Sequence, residues 1–384
     1  MAGRWWIAQH TPRTDDYVMM TAQRQIFHGP GQPFSLERRD LDFDLSPGEV
    51  LVAIDLATVC GSDLHTIDGT RSEVVPSVLG HEAVGRVVRA GAGRTLTAGD
   101  RITWSIADSC GRCRPCSDYG LRQKCEQVFK YGHASISDGT GLNGCYASHI
   151  VLRAGTHAVA VPPTLADAVV APANCSLATM VNAVSQILPS GSAVPNSAVV
   201  QGGGLLGVYG CALLRARGVA HVYCTEIDHG RFPWIEELGG TPLDGREEAD
   251  PVARILDRHP LGVDAVFECA GAREVVPQGV QMLRNGGFYS LVGLVHPDSA
   301  LTVNAEVIIR KCLTLRGVHN YGPRHLEEAI EFLSRFADVL PFRDLVSPPV
   351  PLSRLEDAVD LARSRRWLRV SVAMEDGVPA SAAV

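Results

Sequence analysis

Two textures follow one another along the chain. In the first, apolar residues come in short runs cut by turn-forming residues. Gln25-Ile26-Phe27 leads into His28-Gly29-Pro30-Gly31, and Ser46-Pro47-Gly48 leads into Glu49-Val50-Leu51-Val52-Ala53-Ile54. Residues 85–90 and 100–104 have the same form. Runs rich in β-branched residues and bounded by Gly and Pro predict strands, and their succession predicts a compact β-rich first region. Near Pro172 the texture changes. Residues 176–188 space their apolar positions as a helix does. After Pro189-Ser190-Gly191, strands predicted over 198–200, 222–224, 265–267 and 288–292 alternate with helices over 205–217 and 231–238. That alternation predicts a parallel sheet with helices on both faces, an α/β class overall. From about His319 there follow a helix (325–336), a Pro-rich link (Ser347-Pro348-Pro349-Val350-Pro351), a second helix (354–363) and a closing strand (368–373). Residues 1–21, mixed in charge and without periodicity, read as an N-terminal extension in which Met19 or Met20 is an alternative start; the tail 375–384 reads as disordered.

Composition changes this picture mainly by exclusion. A chain of 384 residues has length for two or three domains. A net charge of −7 argues against a nucleic-acid or anionic-membrane partner. No apolar run approaches the roughly 20 residues of a membrane span, and the N-terminus lacks the apolar core of a secretory signal. The eleven cysteines are odd in number, and four of them fall within sixteen residues. That clustering suits metal binding in a reducing compartment better than a disulfide framework, so a cytoplasmic location is expected.

Three stretches carry chemistry. Ala198-Val199-Val200-Gln201 runs into Gly202-Gly203-Gly204-Leu205-Leu206-Gly207 and then an apolar helix. Gly202, Gly204 and Gly207 fit G-x-G-x-x-G, a tight turn that brings pyrophosphate onto the helix N-terminus at Leu205 and Leu206. Glu226 ends the next strand 19 residues after Gly207, where a carboxylate accepts ribose hydroxyls and repels a 2′-phosphate. NAD is therefore favoured over NADP. Asp228 is a second candidate acid, and Arg231 is open to pairing with Glu226 or with a phosphate. The second stretch is Cys110-x-x-Cys113-x-x-Cys116 followed, after eight residues, by Cys125. Four thiolates close a tetrahedral zinc site completely, which makes the role structural; an iron–sulfur cluster is the weaker alternative. Cysteines 145, 211, 224, 269 and 312 read as small core residues. The third stretch runs from Cys60-Gly61-Ser62-Asp63-Leu64-His65 to Gly80-His81-Glu82. A catalytic zinc takes three protein ligands and keeps one position open. Cys60 and His81 are candidates for two of them. Cys175, in Ala171-Pro172-Ala173-Asn174-Cys175-Ser176, is either the third or a buried helix-cap residue.

The order of these motifs, from Cys60 and Gly80-His81-Glu82 through the four-cysteine lobe and Cys175 to the Gly-rich turn, resembles the zinc-dependent alcohol dehydrogenases of the medium-chain dehydrogenase/reductase superfamily. The resemblance spans roughly residues 22–374. It implies a GroES-like catalytic domain over 22–177 and 319–374, with the zinc lobe at 108–127, and a Rossmann domain with a doubly wound parallel sheet over 178–318. It implies two zinc ions per chain: a catalytic one on Cys60, His81 and Cys175 with Glu82 as an alternative ligand, and a structural one on Cys110, Cys113, Cys116 and Cys125. Asp63 would orient the zinc histidine, Ser62 take the substrate proton, His65 pass it to solvent, and Arg369 reach the cofactor phosphates. There are departures: the lobe is one residue longer between its last two cysteines than is usual, and Leu142-Asn143-Gly144-Cys145 replaces the usual Gly-Gly before an expected aromatic strand, Tyr146-Ala147-Ser148-His149. With Phe129-Lys130-Tyr131-Gly132-His133, these details resemble a subgroup described as phosphonate-catabolism-associated alcohol dehydrogenases. That subgroup implies a hydroxyalkylphosphonate or similar anionic alcohol, for which Arg71, Lys130 and His133 are candidate cations or, equally, solvated loop residues.

The expected function is reversible, NAD-linked oxidation of a small alcohol to an aldehyde or ketone. The alternatives are a polyol or secondary-alcohol dehydrogenase, a zinc-free quinone or enoyl reductase, and a non-catalytic nucleotide-binding protein with structural zinc only. Relatives are dimers or tetramers, so a homodimer or homotetramer is expected, with residues 291–302 as a candidate exposed edge.

Overall fold

The computed structural model describes residues 20–187, 193–296 and 298–374. The predicted disordered tail and nearly all of the N-terminal extension lie outside these residues, though the first strand already begins at Thr21. Strands β1 (Ser197–Gln201), β2 (His221–Glu226), β3 (Thr241–Asp244), β4 (Val263–Glu268), β5 (Leu283–Leu291) and β6 (Thr314–Gly317) form one parallel sheet in the order 3-2-1-4-5-6. Strand order reverses between β1 and β4, which opens a crevice at their C-terminal ends. β1, β2 and β4 are almost wholly buried, as expected of parallel strands covered on both faces. β3 and β6 were not predicted; at four residues each they are too short for a pattern. β5 starts earlier than predicted: Arg284-Asn285-Gly286-Gly287 forms an irregularity between Leu283 and Phe288, and its polar sequence hides the strand. Because β6 pairs on its far side, β5 and the residues after it are not the sheet edge. The expected edge at 291–302 is corrected to β6.

The second sheet has seven strands. Its centre is Val50–Val59, which pairs antiparallel with Glu82–Ala90, His149–Leu152 and the closing strand Val370–Ala373. This central strand outruns the predicted one because a register shift absorbs the polar Asp55 between Ile54 and Leu56. The expected strand Tyr146–His149 begins only at His149; Tyr146 is fully buried ahead of it. Helix Ser176–Ile187 joins the two sheets. Its buried Leu177, Met180 and Val184 share one apolar cluster with Leu56 and Val84 of the antiparallel sheet, Val200 and Phe267 of the parallel sheet, and Leu326 and Ile330 of helix Pro323–Phe336. Each such side chain contributes about 1.5–3 kcal/mol on burial, so the two halves are welded through this helix. Among the described residues no single helix is long and apolar enough to cross a membrane.

Candidate active site

Cys60, His81, Glu82 and Cys175 come from three places in the fold and converge. One ligand atom from each lies within 4.8 Å of all the others. Cys60 caps the short helix Gly61–Ile67, which carries Ser62, Asp63 and His65. That helix was not predicted: it lacks an apolar stripe and is started instead by Asp63, whose Oδ2 accepts the Cys60 N–H at 2.9 Å. The same carboxylate holds Tyr146 Oη at 2.8 Å and lies 3.3 Å from His81 Nδ1. His81 and Glu82 stand at the start of the strand Glu82–Ala90. Cys175 follows a 3-10 turn, Ala171–Asn174, and Asn174 Nδ2 donates to the carbonyls of His81 and Trp104, tying the two ligand segments together. Two soft thiolates, one imidazole and a carboxylate in one buried cluster are a donor set that fits zinc.

Glu82 is fully buried. Thr58 Oγ1 donates to it at 2.6 Å and Arg369 Nε at 2.9 Å. Burial pushes its carboxyl up to about 7, against the pull of Arg369. Arg369 was expected to reach the cofactor phosphates. Its guanidinium is instead spent on Glu82, Ser176 Oγ, the Leu368 carbonyl and Cys60 Sγ. It still forms part of the cleft wall it shares with Gly204, Leu205 and Leu206.

In the lobe, Cys110, Cys113, Cys116 and Cys125 also bring their sulfurs within 4.8 Å of one another. Cys125 Sγ accepts the N–H groups of Cys110 and Gln127, both at 3.3 Å, the kind of backbone support that stabilises a thiolate. The set fits a closed structural zinc site.

The Gly-rich turn fits a dinucleotide. Gly202 has φ +100°, and a Cβ there would meet Ala270; a Cβ on Gly207 would stand 1.8 Å from the Gly202 carbonyl. At Gly204, which caps helix Leu205–Ala216, the nearest atom to a Cβ would be Arg231 Nη1 at 3.9 Å, so this position faces open cleft. Glu226 ends β2 as expected. Its Oε2 accepts from Gly203 N (2.7 Å) and Arg231 Nη1 (3.3 Å), its Oε1 from the N–H groups of Ile227 (2.8 Å) and Asp228 (2.9 Å). Arg231 thus pairs with the acid. Asp228 caps the 3-10 turn His229–Arg231. Sequence reasoning missed Glu268 at the end of β4. It is fully buried and accepts N–H groups from Gly271, Gly293 and Leu294, holding together the two loops opposite the Gly-rich turn.

One cleft of about 880 Å³ joins these parts, lined by Cys60, Ser62, His65, His81, Cys175 and Gly204 to Leu206, a size suited to cofactor and small-molecule sites. His65 is exposed and its Nδ1 lies 3.2 Å from Thr70 Oγ1. Arg71, Lys130 and His133 line the same cleft, with His319. Arg71 pairs with Glu73 at 2.7 Å, a partner the sequence did not reveal. His133 Nδ1 donates to the Tyr131 carbonyl at 2.8 Å; burial, with the charges of His81 and Arg71, pushes its pKa down to about 3. Burial and then Arg71 also lower Lys130.

Comparison with known proteins gives the same picture. Residues 46–163 match the family model of the alcohol dehydrogenase GroES-like domain, and residues 206–335 that of the zinc-binding dehydrogenases. An L-threonine 3-dehydrogenase from Thermococcus kodakarensis is 30% identical over 288 residues, 73% of this chain and 77% of that protein. A 5-exo-hydroxycamphor dehydrogenase from Pseudomonas putida is 27% identical over 336 residues, 84% of this chain and 91% of the relative. Among solved structures, an alcohol dehydrogenase from Thermotoga maritima superposes with a TM-score of 0.86 at 29% identity, covering 93% of this chain and 100% of that one.

Proposed function

The chain belongs to the zinc-dependent alcohol dehydrogenases of the medium-chain dehydrogenase/reductase superfamily, and on that premise we propose that it oxidises a small alcohol reversibly to an aldehyde or ketone with NAD. The observation that carries this reading is the opening of the Cys60–His81–Glu82–Cys175 cluster into the same cleft as Gly204, Leu205 and Leu206. When bound, zinc supplies Lewis acidity and the nicotinamide ring a hydride acceptor.

The remaining work falls to the chain. Cys60, His81 and Cys175 are the metal ligands, with Glu82 as a reserve donor held back by Arg369 and Thr58. Asp63 fixes the orientation of His81 and the backbone of Cys60 at once. Ser62 accepts the substrate's hydroxyl proton, and His65, exposed on the same helix, passes it to solvent. Glu226 receives the adenosine ribose, and its negative charge favours NAD over NADP. The catalytic half comprises 22–177 and 319–374, the nucleotide half 178–318, with helix Ser176–Ile187 at their junction. The exposed residues of edge strand β6 support association of copies into a homodimer or homotetramer, and the free cysteines support a cytoplasmic location.

The finer substrate reading is a hydroxyalkylphosphonate, supported by the cations Arg71 and Lys130 on one part of the cleft wall; His133 beside them, expected as a third cation, is held neutral by burial and adds no charge. A polyol or secondary alcohol is the second reading, favoured by the neutralisation of Arg71 by Glu73 and by the hydroxycamphor and threonine of the relatives' names. An NAD-linked absorbance screen over hydroxyalkylphosphonates, their carboxylate analogues and uncharged alcohols decides among them. The core reading expects turnover of at least one class and its abolition by Cys60→Ala with NADH binding retained. Turnover by metal-stripped protein would overturn it.

A further inference from the structure

The four-cysteine lobe does not end at its sulfurs. Lys124 sits in the 3-10 turn Arg122–Lys124, immediately before Cys125, so closure of the lobe fixes where its side chain starts. Its Nζ reaches across 195 residues of sequence to His319 Nδ1, at 2.5 Å. An ammonium only donates, so Nδ1 accepts and the imidazole proton is on Nε2. His319 lines the cleft. Burial, and after it Lys124, Lys130 and Arg71, hold the pKa of His319 down at about 4, which keeps the ring in this neutral form.

Two cations, Arg71 and Lys130, line one part of the cleft wall, and a third, Lys124, stands exposed outside it and reaches the wall through His319. Among the described residues only one carboxylate, Glu73, pairs with any of them: it pairs with Arg71, and its charge also acts on Lys130. Lys130 is half-buried, and among the described residues neither it nor Lys124 makes an ion pair. Positive charge in excess of that one carboxylate, beside a low-dielectric wall, concentrates anions there. An ammonium–imidazole pair, a second ammonium and a guanidinium together present N–H donors from several directions, which suits a tetrahedral oxyanion carrying two charges better than a flat, singly charged one.

We propose that the zinc lobe is part of the substrate site: Lys124, acting through and beside His319, completes with Lys130 and Arg71 a subsite for a dianionic oxyanion at the non-reacting end of the substrate. This rests on the alcohol dehydrogenase reading and deepens it by assigning specificity to a residue of the structural metal loop. No bond is made or broken at this subsite; it positions the substrate by charge.

Calorimetric titration of the zinc-loaded chain with NAD present tests it without turnover. Methylphosphonate at a pH where it is a dianion is compared with methanesulfonate, a monoanion of similar shape. The wild type is expected to bind methylphosphonate about tenfold or more tighter, Lys124→Gln and Lys130→Gln each to weaken it by about tenfold, and Lys124→Arg to restore it. In parallel, the ratio of kcat/KM for a hydroxyalkylphosphonate to that for an uncharged alcohol of equal length should fall about tenfold in Lys124→Gln. Equal binding of the two anions, wild-type binding by Lys124→Gln, or an arginine variant as weak as the glutamine one would each overturn the proposal. Alcohol oxidation without anion preference would sink the subsite and leave the dehydrogenase standing; anion binding without oxidation of any alcohol would do the reverse.

Discussion

Asp63 shows how much one buried side chain can hold. It accepts the Cys60 N–H and the Tyr146 hydroxyl on one oxygen and faces His81 with the other. Tyr146→Phe removes one donor and leaves part of a buried charge unmet. The expected cost is about 1–3 kcal/mol of stability, with zinc held about 10–100-fold more weakly at the Cys60–His81–Cys175 site, read by competition with a chelator. His325 makes a pH prediction. Its Nδ1 accepts the Gly322 N–H at 3.0 Å, which requires a neutral ring, and burial, then Arg324, lower its pKa to about 4. Unfolded histidine titrates near ~6.5. Between these values the unfolded chain binds a proton and the folded chain does not, so the stability from neutral His325 is present above ~6.5 and is lost as pH falls toward about 4. His325→Gln, which can still accept at the helix start, should flatten the fall in Tm over this window. An unchanged slope would count against the assignment. Neither Tyr146 nor His325 could be singled out from sequence, because each earns its role from a partner placed by the fold: Asp63, 83 positions away, or a capped backbone N–H.

At the scale of elements, the turn between β1 and helix Leu205–Ala216 separates two kinds of glycine. A Cβ at Gly207 would collide with the Gly202 carbonyl, whereas at Gly204 it would enter open cleft. Gly207→Ala should therefore lower Tm sharply, while Gly204→Ala should fold normally and bind NADH more weakly. Calorimetry and cofactor fluorescence separate the two, and similar Tm losses in both would show that the turn is read wrongly. The turn was legible in the sequence because its chemistry is local: strand, glycines, helix and a following acid in fixed order. The four-cysteine lobe was legible for a similar reason, since four cysteines at such spacings have few other uses, whereas Cys60, His81 and Cys175, far apart in the chain, were joined into one candidate site only by the resemblance. What stayed hidden has short or non-periodic sequence. Helix Gly61–Ile67 is set by a cap rather than an apolar face, β3 and β6 have four residues each, and β5 opens with a polar irregularity. Glu73, Asn174 and Glu268 escaped because their partners, unlike their residue types, are not written along the chain.

At the scale of the molecule, two candidate metal centres serve one fold, and only the Cys60–His81–Cys175 centre opens into the cleft. Elemental analysis should find two zinc ions per chain. Cys60→Ala and Cys113→Ala should each remove one, the second with the larger loss of Tm, because the lobe has little apolar core of its own. One zinc in the wild type would disprove one of the sites. Helix Ser176–Ile187, buried against both sheets, packs them into one continuous apolar cluster. Within that continuity, Glu226 has a consequence for exchange. A carboxylate offers about four lone-pair directions, and four donors already occupy this one: Gly203, Ile227, Asp228 and Arg231. A ribose hydroxyl arriving there must evict a resident. On the proposed placement of the ribose at Glu226, capture of the nucleotide is a substitution on an already saturated acceptor, with an outgoing group for each incoming one, and the guanidinium of Arg231, the longest of the four contacts, is the one placed to leave first and to return as the spent cofactor departs.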